Sequence, residues 1–336
     1  MPDDLTAIRA ALWAHVRQNA DALAHAAQAL HGRPPDADEW ADLLDFTAIE
    51  WLDPEGFTAA DRLAELHHNP ALARWPLDVR TSLWIVDGHD GECVLIRDLQ
   101  DDSDHVVRCP AFARAELPKR MVLRARIVPW ADGVEFLGEP ALYGEQGVIA
   151  RLQLLDAWRQ SPEPSVLAAL RQRRADFARQ RDQHRVWRAH FGADLVESID
   201  ADALEATLAR FLEVLGFEDR GPDGTGPTRA ERWQQETGKV PERIELRLGE
   251  TLREGTPAMV FDRVAGVQFL PALAQLRDHV TRAAPHPSVF SLWSTTADLP
   301  RIGLRLAGLP AEAIAALGLP SQPVTPSCLP EFGDAG

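Results

Sequence analysis

Apolar residues follow a helical rhythm at both ends of this chain and a two-residue rhythm in its middle. Leu5, Ile8, Leu12, Val16 and Leu23 predict a helix over 3–30, closed by Gly32, Pro34 and Pro35. Trp40, Leu43, Leu44 and Trp51 form an apolar stripe on a second helix over 37–51, with Asp36 or Asp38 placed to cap it. A third, short helix fits Thr58 to about His68. At Arg80 the period changes. SLWIV (82–86), CVLIR (93–97), HVVRC (105–109), MVLRARIV (121–128) and VEFLG (134–138) read as strands, parted by the turn clusters DGHDGE, QDDSD and WADG.

Helix returns over 148–160, breaks at SPEP (161–164) and resumes over 165–191, and another helix fits 203–215. GPDGTGP (221–227) is a connector, after which Thr228 and Glu231 have the spacing of a capping box. RIELRLG (243–249) and AMVFDRV (258–264) are expected to pair as strands. Residues 271–283 read as helix, 288–294 as strand and 311–319 as a last short helix. The fold class expected is α+β. It comprises a helical N-terminal region (1–76), a small five-stranded SH3/OB-like β-barrel (77–147), a long helical connector (148–217) and a mixed α/β C-terminal region (218–336).

Two stretches carry a resemblance. RDLQDDSDHVV (97–107), followed by VLRARIVPWADGVEFLGEPALYG (122–144), resembles the small β-rich module of certain uncharacterised bacterial proteins that often end in a SEC-C zinc motif. VFDRVAGVQFLPALAQLRDHV (260–280) is similar to a second stretch of the same group. The resemblance implies architecture and no activity. This chain has only Cys328 near its end, so the zinc-binding tail does not carry over.

Composition narrows the classes. With 45% hydrophobic and 26% charged residues, the chain has the material for a sizeable core. Three cysteines make no disulfide scaffold. The acidic, amphipathic start lacks a basic signal-peptide region, and no apolar run reaches the roughly 18 residues of a membrane span. A cytoplasmic protein with no membrane contact is expected. The net charge of −16 excludes a uniformly basic nucleic-acid coat, yet residues 151–192 carry a net +5.

That basic island holds the first candidate site. Arg171, Arg174, Arg181, Arg185 and Arg188 fall within an arc of about 100° and span roughly 25 Å of helix. They could follow a phosphate backbone, with Trp187, Phe177 and His184 on the flanks to stack on bases. The same stripe could instead pair with acidic residues of this chain or of a partner. Only Lys119 and Lys239 are lysines, so arginine is this chain's general cation.

A second candidate is metal-like: His89, Cys93, His105 and Cys109 read H-x3-C-x11-H-x3-C. In a hairpin about QDDSD, position 93 is expected to face 109, so Cys93, Cys109 and His89 could converge while His105 lies about 13 Å along the strand. A plain apolar cysteine pair, or a redox pair, fits the same residues. The loop GPDGTGPT (221–228) lacks the lysine and the βαβ setting of a phosphate loop. The acid clusters DADEWADLLD (36–45) and QDDSDH (100–105) read as solvated surface, and Trp130 as an exposed turn residue.

No GxSxG, HExxH or CxxC occurs, and no cofactor is expected. The sequence therefore points to a non-enzymatic cytoplasmic adaptor or macromolecule-binding protein, with a protein partner or a second copy of itself. A nucleic-acid-binding protein using the arginine helix is the alternative. A hydrolase-like enzyme with a site assembled between domains is a third class.

Overall fold

The computed structural model describes residues 5–109, 115–131, 133–218, 226–239, 253, 255–262, 266–270, 272–281 and 308–309. The architecture is α+β, in two compact units, Met1–Arg174 and Ala175–Gly336. The regions expected over 1–76 and 77–147 thus belong to one unit.

Five helices open the first unit: α1 (Leu5–Val16), α2 (Ala20–His31), α3 (Trp40–Ile49), α4 (Ala59–His67) and α5 (Pro70–Asp78). The single helix expected over 3–30 is two. Asn19 Oδ1 accepts the Ala22 N–H at 3.1 Å and starts a new helix, because a short amide side chain competes with the backbone ladder. Gly32 closes α2 with φ +66°, its N–H donating to the Gln28 carbonyl. Thr58 and Asp61 form a capping box at α4. Helix α5 was not expected; Pro70 sits in its first turn, where no N–H is needed, and Asn69 caps it.

Six strands follow: β1 (Arg80–Asp90), β2 (Cys93–Asp98), β3 (Asp104–Arg108), β4 (Met121–Trp130), β5 (Gly133–Phe136) and β6 (Ala141–Glu145). The sheet closes into a ring in the order β1-β2-β3-β5-β4-β1, with β6 on the same edge of β4 as β5. Only β3 and β5 run parallel, Val107 opposite Val134. A register shift between Val86 and Gly88 separates two stretches of the β1–β2 pairing. Inside the ring sit Trp84, Val94, Ile96, Val107, Leu123, Ala125 and Ile127.

The outer face of the ring is where the helices pack. Residues alternate along β4, so Leu123, Ala125 and Ile127 point inward while Val122, Arg124, Arg126 and Val128 point outward. Val128 shares a core with Ile8 and Leu12 of α1, Leu44 of α3 and Trp75 of α5. Trp130 joins the edge of that core, its ring 6.0 Å from Trp75, so it is not the exposed turn residue expected. Helix α6 (Val148–Gln160) covers Leu83 of β1 with Leu155 and Trp158.

The break expected at SPEP is present but falls on Ser161 alone, which leaves the helical region at the end of α6; α7 (Pro162–Phe191) starts at the next residue, its prolines lying in the first turn. In the second unit its buried Trp187 packs with Leu204, Leu208 and Phe211 of α8 (Ala201–Glu213) and with Met259 and Phe261. The sheet there is β7 (Leu195–Glu197), β8 (Ala258–Asp262) and β9 (Gly266–Leu270). Strand β8 lies between β7 and β9; the segment 243–249, expected to pair with it, lies outside the described residues, as do 288–294, 311–319 and most of the 221–227 connector. The capping box at Thr228 opens α9 (Arg229–Thr237), and α10 (Leu273–Thr281) is the last described helix.

Candidate functional site

The period of β4 forces the chemistry of the first unit. Arg124 and Arg126 lie on the strand face that the helices cover, so two guanidiniums are carried toward a core and need carboxylates there. Helix α3 and the start of α7 supply them. Asp42 Oδ1 accepts Arg126 Nη1 and Oδ2 accepts Arg124 Nη2, both at 2.8 Å. Glu163 Oε2 accepts Arg124 Nε at 2.9 Å. Glu50 accepts Arg126 Nη2 at 3.1 Å and the Thr81 hydroxyl at 2.9 Å. The side chains of Arg126 and Glu50 are only 2% and 6% exposed.

The electrostatics follow from burial and neighbours. Burial raises the Asp42 carboxyl, but Arg126 and Arg124 outweigh it and hold it well below the usual carboxylate range. Burial lowers both guanidiniums, and the facing carboxylates more than restore them, so both arginines sit above their ordinary value. Glu50 goes the other way. Burial pushes it up, and the pull of Arg126 does not compensate, because Glu163 adds a like charge nearby. Arg126 gains from four carboxylates while Glu50 has one guanidinium, which is why the two partners do not shift as mirror images.

Beside this network a second clamp forms. Asp45 accepts Arg9 Nε at 2.9 Å, Arg9 Nη2 at 2.7 Å and the Trp13 indole N–H at 2.7 Å. Gly138, at φ +83°, leaves room for Arg9; a Cβ there would collide with its guanidinium. The two clamps form part of the wall of a cleft of about 960 Å³, walled also by Trp13, His31, Asp38, Tyr143, Trp158 and Glu139. The acids of 36–45 are therefore not all solvated surface: Asp42 and Asp45 are ion-paired in this wall. The readable signal was two arginines at i, i+2 inside an otherwise apolar strand.

Three polar atoms of cleft-wall residues have no hydrogen-bond partner among the described residues: Trp158 Nε1, His31 Nε2 and Arg126 Nε. A stretch of exposed large apolar residues follows in the chain, Leu142 and Tyr143 on β6 and Val148, Ile149 and Leu152 on α6. Tyr143 also lines the cleft.

The arginine stripe is largely ion-paired. Arg174 donates to Asp61 at 2.8 Å within the first unit. In the second, Arg185 pairs with Asp182 at 3.0 Å and Arg188 with Asp194 at 3.4 Å, Arg181 is half-buried, and Arg171, back in the first unit, is exposed. The aromatic flank is corrected. Trp187 and Phe177 are fully buried, and His184 is buried against Asp194 at 2.8 Å, so none is available to stack on a base. Phe177, Gln180, His184 and Trp187 recur at 3, 4 and 3 residues and make the buried face of α7.

The metal-like set is not brought together. Cys93 pairs with Arg108, one residue off the expected register, and a one-residue slip turns every side chain to the other face. Cys109 lies in the ring core, while Cys93 is half-exposed and His89 exposed. His105 stacks edge-on against Trp84 with ring centres 5.2 Å apart. Among the described residues no group of three or more His, Cys, Asp or Glu could hold a metal ion, and no helix is long and apolar enough to cross a membrane. No protein-family model, curated protein or solved structure matches this chain, so the resemblance read from residues 97–107, 122–144 and 260–280 rests on those residues alone.

Proposed function

We propose that this protein is a cytoplasmic, non-enzymatic adaptor that binds another macromolecule through the first unit. The observation that carries the reading is the apolar strip. Five large apolar side chains between Leu142 and Leu152 stand exposed, and one of them, Tyr143, lines the cleft, which suits an interaction surface more than a solvated helix face. The charged groups deep in the cleft wall are bound to one another, which suits a rigid wall better than a proton-transfer site.

The test is a random-peptide display selection on the full chain, repeated on an Ile149→Glu/Leu152→Glu variant. Sequences enriched on the native chain and lost on the variant support the reading. No enrichment, or equal enrichment on both, overturns it.

A nucleic-acid reading draws on one observation, the ring order with β3 parallel to β5, which suits the five-strand oligonucleotide-binding type. It predicts anisotropy changes with single-stranded DNA or RNA that fall steeply between about 50 and 300 mM salt. They should vanish when Arg174, Arg181 and Arg185 become Glu. The acidic β2–β3 turn and the ion pairing of the stripe weigh against it.

A further inference from the structure

Resting on the adaptor reading, we infer that the cleft of the first unit takes a basic–apolar segment of a partner protein. One arginine or lysine side chain of that segment meets the carboxylates of Asp38 and Glu139, and its apolar neighbours lie along Tyr143, Val148, Ile149 and Leu152.

Charge is the first argument. Six carboxylates line the cleft, Asp38, Glu39, Asp42, Asp45, Glu139 and Glu163, against three guanidiniums, Arg9, Arg124 and Arg126. The inner carboxylates are committed: Asp45 to Arg9, Asp42 and Glu163 to Arg124 and Arg126, and Glu39 to Arg33. Asp38 and Glu139 are left, both exposed and neither in an ion pair among the described residues. A cation is the complement of such a rim.

A second, independent observation points to an occupant. Trp158 is 7% exposed, lines the cleft and has no acceptor for its indole N–H among the described residues. An indole N–H is a donor only, and a buried one ordinarily finds an acceptor. A peptide carbonyl lying in the cleft supplies it. His31 Nε2, also without a partner, can donate or accept according to its tautomer.

The alternatives are less well matched. A second copy brings another net −16 chain and another acidic rim to the same face, since a two-fold interface is self-complementary. Nucleic acid presents phosphates to carboxylates. A small amine leaves the apolar strip uncovered.

The test uses the full chain labelled with nitrogen-15. Two probes, acetyl-Leu-Arg-Leu-Leu-amide and acetyl-Leu-Glu-Leu-Leu-amide, are titrated while the tryptophan indole N–H signals are followed. The Trp158 signal is assigned from a Trp158→Phe variant. The arginine probe is expected to move that signal downfield and to saturate, and the glutamate probe to leave it in place. An Asp38→Asn/Glu139→Gln variant, changed only at exposed positions, should lose about tenfold in affinity for the arginine probe. An unmoved Trp158 signal, equal response to both probes, or undiminished affinity in the variant overturns the inference. If display-selected peptides depend on Ile149 and Leu152 yet are uncharged or acidic, the adaptor reading stands and this one falls. If no peptide depends on the strip, both fall.

Discussion

Replacing Arg126 by methionine tests whether the wall of the cleft is held by charge compensation. Methionine keeps most of the length and loses the cation. Arg126 is 2% exposed and faces Asp42 at 2.8 Å, Glu50 at 3.1 Å and Glu163 at 3.8 Å, so the variant buries carboxylate charge with only Arg124 to answer it. Breaking a buried pair from one side typically costs about 3–5 kcal/mol. In a unit of 174 residues each kcal/mol moves the midpoint by about 2–4 °C, so the unfolding transition should fall by roughly 6–20 °C. Arg124→Met, at a side chain 18% exposed, should fall less. Adding Glu50→Gln to Arg126→Met should recover part of the loss, because one uncompensated carboxylate goes with it. Circular dichroism melts of the four proteins decide the matter. A drop below about 3 °C for Arg126→Met, or no recovery in the double variant, refutes the reasoning.

Other consequences are measurable. Glu50 is raised in the folded state, so the unfolded chain ionises first as pH rises; native stability should therefore gain on Glu50→Gln as pH is lowered from neutral through the ordinary carboxylate range, and melts across that range check the sign. Gly138→Ala should cost about 1–3 kcal/mol and free Arg9 from Asp45, seen as a lower midpoint and a changed Trp13 environment in near-ultraviolet spectra. Cys93 should react with a thiol reagent in the folded protein while Cys109, 4% exposed, is protected until unfolding; peptide mass mapping would overturn the assigned register if a Cys93–Cys109 disulfide formed readily. Asn19→Ala should lower stability by about 1 kcal/mol through the lost cap of α2, read from denaturant midpoints.

The sequence was most legible where local chemistry and packing agree. The change of period at Arg80, the five strands of the ring, the helix start at Thr58 and the capping box at Thr228 were visible because each is decided within a few residues. It was least legible where a distant partner decides. No element was expected over Pro70–Asp78, yet the segment is helical: Pro70 occupies its first turn, and the Trp75 indole N–H donates to the Pro129 carbonyl at 2.9 Å. The β2–β3 register slipped by one because Asp98 belongs to the strand: its N–H donates to the Ser103 carbonyl, and its carboxylate accepts from Ser82 of β1. Nothing near QDDSD announces that pairing.

The cleft teaches the same lesson in a form that could have been used. MVLRARIV alternates, so Arg124 and Arg126 had to share a face with Val122 and Val128. An apolar strand in the middle of a sheet rarely gives such a face to water, and a buried guanidinium needs carboxylates. The helix over 40–49 offers Asp42 and Asp45 three residues apart on a segment that, Thr47 aside, is otherwise apolar. Acids on so apolar a helix belong to a buried partner, and the central strand holds arginines to match. The stripe on α7 drew attention by its length, yet its positions 171, 185 and 188 are exposed, and long solvent-facing rows of arginine are ordinary on helices. Two arginines where the pattern demands leucine are not ordinary, and that contrast, had it been read, would have pointed to the cleft wall more directly than any count of charge.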